Sequence, residues 1–255
     1  MALKKILVIG EGCVDKFIYC ATKRLAPDVP VPVLHVVHTE ENPGMAKNLE
    51  RNIRALHSAC DIVTNADWKR VTKTRYMHHG SNQAFFRVDV GDRIARVDVR
   101  KIPLKTYDIV AISDYDKGFL TNEDLRYICE RHPVVFIDSK KPVGPFLSKV
   151  KFIKINEKEY ERSRPVSKYL ARKIICTKSE KGAEFKGVTY PIEKVEVRDV
   201  SGAGDSFFAA LLVHYAKTGR IEEAIKFANL CAKHVVQQKG VSVIQAPTEA
   251  EMATL

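Results

Sequence analysis

The sequence predicts an α/β fold, a doubly wound and mostly parallel sheet with a small β appendage. Three observations predict it. Short apolar runs end directly in polar residues or glycine, as buried parallel strands do. Segments with helical periodicity alternate with those runs. Two further stretches alternate apolar and polar residues and fall outside that rhythm.

Residues 5–9 form the first run and stop at Gly10. Residues 29–39 alternate around Pro30 and Pro32 and read as an edge strand, where proline is tolerated. Residues 45–56 carry apolar side chains at 45, 46, 49, 53 and 56, one face of a helix. Residues 72–90 read as strands around a turn at His79-Gly80-Ser81-Asn82. The runs 109–112, 134–137, 152–155 and 174–176 lead into Ser113-Asp114, Asp138, Asn156 and Thr177. Thr121-Asn122-Glu123-Asp124 resembles a capping box opening a helix to about residue 131. A mostly apolar helix spans 203–217 and stops near Gly219. Another spans 221–238, apolar at 221, 224, 225, 228, 231 and 235, with Gly240 as its stop. Ligands of open α/β sheets bind at the carboxyl ends of the strands, the edge at which these polar residues recur.

Composition narrows the function. The 255 residues are 45% hydrophobic, enough for a sizeable core. No run of about 18 apolar residues predicts a membrane span, and the first ten residues lack the long apolar region of a signal peptide. Six cysteines at 13, 20, 60, 129, 176 and 231 form no C-x-x-C, and the histidines add no zinc spacing. Free thiols and a cytoplasmic location follow as expectations. The net charge of +11 favours acidic partners, phosphorylated small molecules or nucleic acid. The basic residues are spread along the chain and no nucleic-acid motif is present, so neither nucleic acid nor membrane is expected as a partner.

The chemistry concentrates in Asp199-Val200-Ser201-Gly202-Ala203-Gly204-Asp205, just before the apolar helix. Gly202 and Gly204 permit backbone angles that other residues resist. Several N–H groups can then converge at the positive end of the helix, a place for an anion such as a phosphoryl group. A plain glycine-rich helix cap is the other reading of the same residues. Asp205 stands beside that place, and the helix N-terminus favours its ionised form.

These residues resemble the ribokinase, or PfkB, family of carbohydrate kinases. The family's D-T-x-G-A-G-D signature matches residues 199–205. The resemblance implies a ribokinase-like kinase domain over residues 1–255, using ATP and Mg2+ to phosphorylate a hydroxyl of a sugar or sugar phosphate. It assigns Asp205 as the base and Gly202, Ala203 and Gly204 as the anion hole. Asn156-Glu157-Lys158-Glu159 matches the family's N-x-x-E motif, which implies Mg2+ and phosphate at Asn156 and Glu159; without the family context it reads as a helix N-cap. Residues 177–182 resemble a nucleotide-binding turn, placing Thr177, Lys178, Glu180 and Gly182 at ATP. Lys178 stands where relatives carry arginine and lacks its bidentate fork. Asn229 corresponds to the helix flanking adenine, or is a polar residue on a helix surface.

The N-terminal half is most similar to the branch of the family that phosphorylates heptose 7-phosphate at its anomeric hydroxyl. Residues 10–15, 24–33, Thr72-Lys73-Thr74-Arg75, Gln83, Arg87-Val88-Asp89 and Ser113-Asp114-Tyr115-Asp116-Lys117-Gly118 carry that similarity. It implies that Asp15, Gly44 and Asn48 hold the sugar. Lys73, Arg75, Arg87 and Lys140 are candidates for a substrate phosphate, or are solvated charges. It also implies a β lid from about residues 16–40 and 72–90, shared between two subunits of a homodimer. Three departures stand out. Met45 and Lys47 replace small residues of G-G-A-A-N and are expected to crowd the sugar. Asp138-Ser139-Lys140-Lys141 replaces D-P-K-G. The chain between Leu56 and Thr72 is shortened, with loss of a sheet-edge piece and its helix expected. A non-catalytic relative that only binds nucleotide or sugar is the alternative function.

Overall fold

In the computed structural model, which describes residues 3–81, 83–238 and 240–252, the elements follow in this order. The strands are β1 (Ile6–Gly10), β2 (Gly12–Leu25), β3 (Pro32–Met45), β4 (Cys60–Val63), β5 (Thr72–His78), β6 (Ala84–Val90), β7 (Ile109–Asp114), β8 (Val135–Ser139), β9 (Phe152–Asn156), β10 (Ile174–Thr177), β11 (Ala183–Phe185) and β12 (Val188–Tyr190). The helices are α1 (Ala46–Leu56), α2 (Asn122–Arg131), α3 (Glu157–Arg162), α4 (Lys168–Ala171), α5 (Ala203–Thr218), α6 (Ile221–Val236) and α7 (Glu249–Met252).

The first strand shows why the sheet is covered on both sides. Ile6 and Val8 enter one hydrophobic cluster; Leu7 and Ile9 enter the other. Successive side chains of a strand leave on opposite faces, so a strand apolar at every position needs two covers. In β7 the same split separates Ile109 and Ala111 from Val110 and Ile112. One cover is built from α1, α5 and α6, the other chiefly from α2 and the segments around it. The large sheet runs β12-β11-β10-β9-β8-β7-β1-β4. It is parallel from β4 to β10 and ends in the antiparallel hairpin β11–β12. Chain order reverses between β1 and β7, and a crevice opens at such a switch point.

A second sheet, β3-β2-β5-β6, rises from that crevice. β2 pairs antiparallel with β3 and parallel with β5, and β5 pairs antiparallel with β6. Its strand β2 overlaps the lid expected from about residue 16, but begins earlier, at Gly12, and was not read as a strand of its own because it lacks clean alternation. β3 begins and ends later than the predicted 29–39. The turn between β5 and β6 lies at the expected place, with Asn82 outside the described residues.

Local signals hold elsewhere. Thr121 and Asp124 form the reciprocal capping box at α2. Gly219 ends α5 with φ 71°, the left-handed angle glycine supplies cheaply. α6 stops at Val236, short of the expected 238. The shortened connection holds one strand, β4, which pairs parallel with β1 and forms the sheet edge, and no α-helix lies between β4 and β5. A single 3-10 turn, Trp68–Arg70, then leads to β5. Trp68 lies against the Lys47 ammonium, 5.3 Å from the ring centre. No helix among the described residues is long and apolar enough to cross a membrane.

Candidate active site

α5 starts at the crevice without a side-chain cap. Its N-cap is Gly202 at φ 80°, and the side chain of Asp199 shapes the preceding turn by accepting from Ser201 N at 2.8 Å. First-turn amides of a helix have no partner within the helix, so those of Gly204 and Asp205 present positive charge to the crevice; the Ala203 amide, expected in the anion hole, instead donates to the Val200 carbonyl at 3.2 Å.

Asp205 is held at both oxygens. Asn48 Nδ2 donates to Oδ2 at 2.8 Å and the Tyr115 hydroxyl donates to Oδ1 at 3.1 Å. Asn52 in turn donates to the Asn48 side-chain oxygen at 3.2 Å and fixes that amide. Burial pushes the Asp205 carboxyl above its ordinary value and Asp138 adds to the push; Asn48, Lys154 and Tyr115 pull it back. The helix N-terminus alone suggested an easily ionised acid. The structure adds desolvation, which makes the anion a stronger proton acceptor.

Two neighbours escaped the sequence reading. Lys154 is buried near the end of β9, where it meets Asp138 Oδ2 at 2.6 Å. Burial is the largest influence and opposes its charge, but the carboxylates of Asp138, Glu159 and Asp205 together outweigh it and hold the ammonium above its ordinary pKa. A Cβ on Gly204 would lie 3.2 Å from its Nζ, so the ammonium sits directly against the helix start. A lysine inside the apolar run Phe152-Ile153-Lys154-Ile155 was the available signal. Tyr115 was legible only as part of a motif. Its hydroxyl on Asp205 gives it a role, and burial holds its phenol well above its ordinary pKa, so it keeps its proton.

A cavity of about 730 Å³ extends from Asp205 along the sheet edge. Its walls bring together Gly202, Ala203, Gly204, Lys140 and Asn156 with Thr177, Glu180, Gly182 and Asn229. Apolar side chains, among them Val195, Val197, Phe207 and Ala232, line the far end. Gly182 has φ 85°, and a Cβ there would stand 2.1 Å from the Tyr190 carbonyl oxygen. Asn229 donates to that same oxygen at 2.8 Å, so it pins the wall and is no surface residue. Lys178 is not among the cavity's lining residues. Its Nζ pairs with Glu184 at 2.6 Å, a correction to its expected place at nucleotide.

Asn156 and Glu159 form a reciprocal capping box on α3, each bond 2.9 Å. The second Glu159 oxygen accepts from Lys140 Nζ. Lys140 is therefore paired. Among the described residues no three His, Cys, Asp or Glu side chains gather as a metal cage. Mg2+ usually takes only one or two protein oxygens and keeps several waters, so Asn156 and Glu159 fit as the residues that would hold one brought by phosphates.

The small sheet lines the other side. Register places Asp15 beside Lys73 and Phe17 beside Arg75, with Arg87 next to Arg75. Arg75 Nη1 donates to Asp15 Oδ1 at 2.8 Å. Arg87 makes a bidentate pair with Asp89 at 2.5 and 2.6 Å. Lys73 is buried, its Nζ 4.9 Å from the Tyr115 ring centre. Met45 does not crowd this space. Its side chain is buried in the core, and its backbone takes φ 58°, ψ −133°, a strained combination for any residue with a Cβ. Lys47 turns to Glu50 at 2.6 Å. Gly44 is the close contact: a Cβ there would lie 2.4 Å from Asp15 Oδ2. Gly44→Ala is expected to displace Asp15 and raise the acceptor KM at least about tenfold with nucleotide affinity unchanged, which steady-state kinetics and calorimetry would separate.

Comparisons with known proteins bear on the family and the fold. Residues 121–249 match the profile of the pfkB family carbohydrate kinases. The bifunctional protein HldE of a Nitratiruptor species is 31% identical over 96% of this chain. The chain spans 62–67% of the length of the bifunctional relatives it matches first. Among solved structures, ribokinase from Thermotoga maritima superposes with a TM-score of 0.74 at 18% identity, covering 98% of each chain. Ribokinase of Arabidopsis thaliana complexed with ribose and ATP gives 0.69 at 15%, covering 99% of this chain and 98% of that one. With its ribokinase-like sheet, its glycine-led helix start and a relative at 31% identity, this chain belongs to the PfkB family of carbohydrate kinases, phosphotransferases acting on sugars.

Proposed function

We propose that the protein transfers the γ-phosphoryl group of ATP to a hydroxyl of a sugar phosphate, with heptose 7-phosphate as the acceptor. One observation carries the reading: a carboxylate held by two donors stands beside uncapped amides and a buried ammonium. Asp205 takes the acceptor hydroxyl's proton as the oxygen bonds to phosphorus and the bond to the ADP oxygen breaks. The Gly204 and Asp205 amides, with Lys154, stabilise the negative charge of the group in transit. Mg2+ supplies further charge neutralisation when bound.

Asp15 and Gly44 line the sugar side. Lys73, Arg75 and Arg87 supply the positive face for the acceptor's own phosphate. The small sheet serves as a lid, and ATP occupies the cavity ending at Asn229. The lid's outer row supports a homodimer: Phe86, Val88 and Val90 are 50%, 43% and 54% exposed on β6, opposite the charged face. Contiguous exposed apolar rows of that kind mark interfaces.

The test is ADP release with heptose 7-phosphate, fructose phosphates and ribose. Turnover is expected with the heptose phosphate. ATP binding without turnover of any of them would instead leave a non-catalytic binding protein.

A further inference from the structure

We infer that Tyr115 is a positioning residue that couples the small sheet to the base, its hydroxyl holding Asp205 while its ring carries the lid's Lys73. The inference rests on the proposed roles of Asp205 as base and of the small sheet as lid. The hydroxyl donates to Asp205 Oδ1 at 3.1 Å. The Lys73 ammonium lies 4.9 Å from the ring centre and that of Lys140 5.5 Å. Tyr115 is therefore a single side chain touched by the lid, by the loop after β8 and by the carboxylate. A cation over an aromatic face is attracted by the ring's quadrupole, more so when desolvated, and Lys73 is buried.

The loop that carries Tyr115 is built to keep it still. Glu11, wholly buried at the end of β1, accepts from Tyr115 N at 2.8 Å and from Lys117 N at 3.0 Å. Asp114 accepts from Ser139 Oγ at 2.5 Å and from Lys141 Nζ at 3.0 Å. Lys141 also reaches Asp116 at 2.7 Å. Lys141 is one of the chain's departures from D-P-K-G, and here it staples the two acids flanking Tyr115. These charged groups act on the loop rather than on the carboxylate. Those that face Asp205 are Asp138 from β8, Lys154 from β9 and Tyr115 itself.

A donor to Asp205 favours its anion, so removing the hydroxyl raises the pH at which the carboxyl ionises. Tyr115→Phe keeps the ring and removes only that donor. Titration of the Asp205 carboxyl carbon by NMR is expected to show a higher midpoint in the variant. Tyr115→Leu removes the ring as well. Amide exchange of β5 is expected to be unchanged in Tyr115→Phe and at least about fivefold faster in Tyr115→Leu, with thermal unfolding confirming that both variants fold. An unmoved midpoint in Tyr115→Phe, or unchanged β5 exchange in Tyr115→Leu, overturns the coupling. Neither readout needs turnover. Asp205→Asn with full activity would remove the base while leaving these outcomes intact, so the two readings fail separately.

Discussion

Replacing Asp205 with asparagine is expected to lower kcat about 10²-fold or more with ATP binding retained. Asparagine keeps the shape and can still meet Asn48 and Tyr115, but it cannot take a proton from the acceptor. The loss should fall on kcat, because neither the far cavity wall at Asn229 nor the uncapped amides change. Calorimetry with ATP and single-turnover kinetics separate the two quantities. Near-normal turnover in the purified variant would falsify the assignment of Asp205 as base. The pH profile carries the sign. Burial raises the Asp205 pKa and turnover needs the anion. Activity therefore falls as pH drops, beginning above the range of an exposed carboxylate.

Lys154→Met is expected to lose both stability and turnover. Lys154 and Asp138 form a buried pair at 2.6 Å. Removing one partner of such a pair leaves an uncompensated charge, which costs about 3–5 kcal/mol. Adding Asp138→Asn to Lys154→Met should recover most of that stability, because no orphaned carboxylate then remains. Turnover should not recover, since the ammonium beside Gly204 is still missing. Urea denaturation and kcat of the two variants test this. Wild-type stability in the single variant, or restored kcat in the double, would count against the dual role.

Legibility varied with the range of the interaction. The strands of the large sheet from β7 to β10 were readable because each is an apolar run with a polar stop. α2 and α5 were readable from their caps. β4, β11 and β12 were not: each has three or four residues, and they exist because a neighbour offers a ladder. β2 was not picked out as a strand of its own because Asp15 and Lys16 interrupt its apolar residues and both its faces hold buried side chains, Phe17 on one and Cys20 on the other. The same distinction separates the site residues. Asp205 and its glycines are neighbours in sequence, so their pattern was visible. Asn48 reaches Asp205 across 157 positions and Tyr115 across 90, and no local pattern records such a meeting.

Sequence by itself determined the α/β class, because periodicity and caps are local properties of the chain, and its motifs carried the resemblance to the family and marked the glycine-rich turn at 202–204. Only tertiary structure decided the rest. It turned Lys178 to Glu184, buried Met45 in the core, closed Asn156 and Glu159 into a cap, and set Lys154 beneath the helix start. For Met45 and Lys154 the deciding quantity is which distant partner stands within contact distance, and that is fixed only when the strands assemble; the Asn156–Glu159 cap is local, and the structure only selected it from the two readings the sequence allowed.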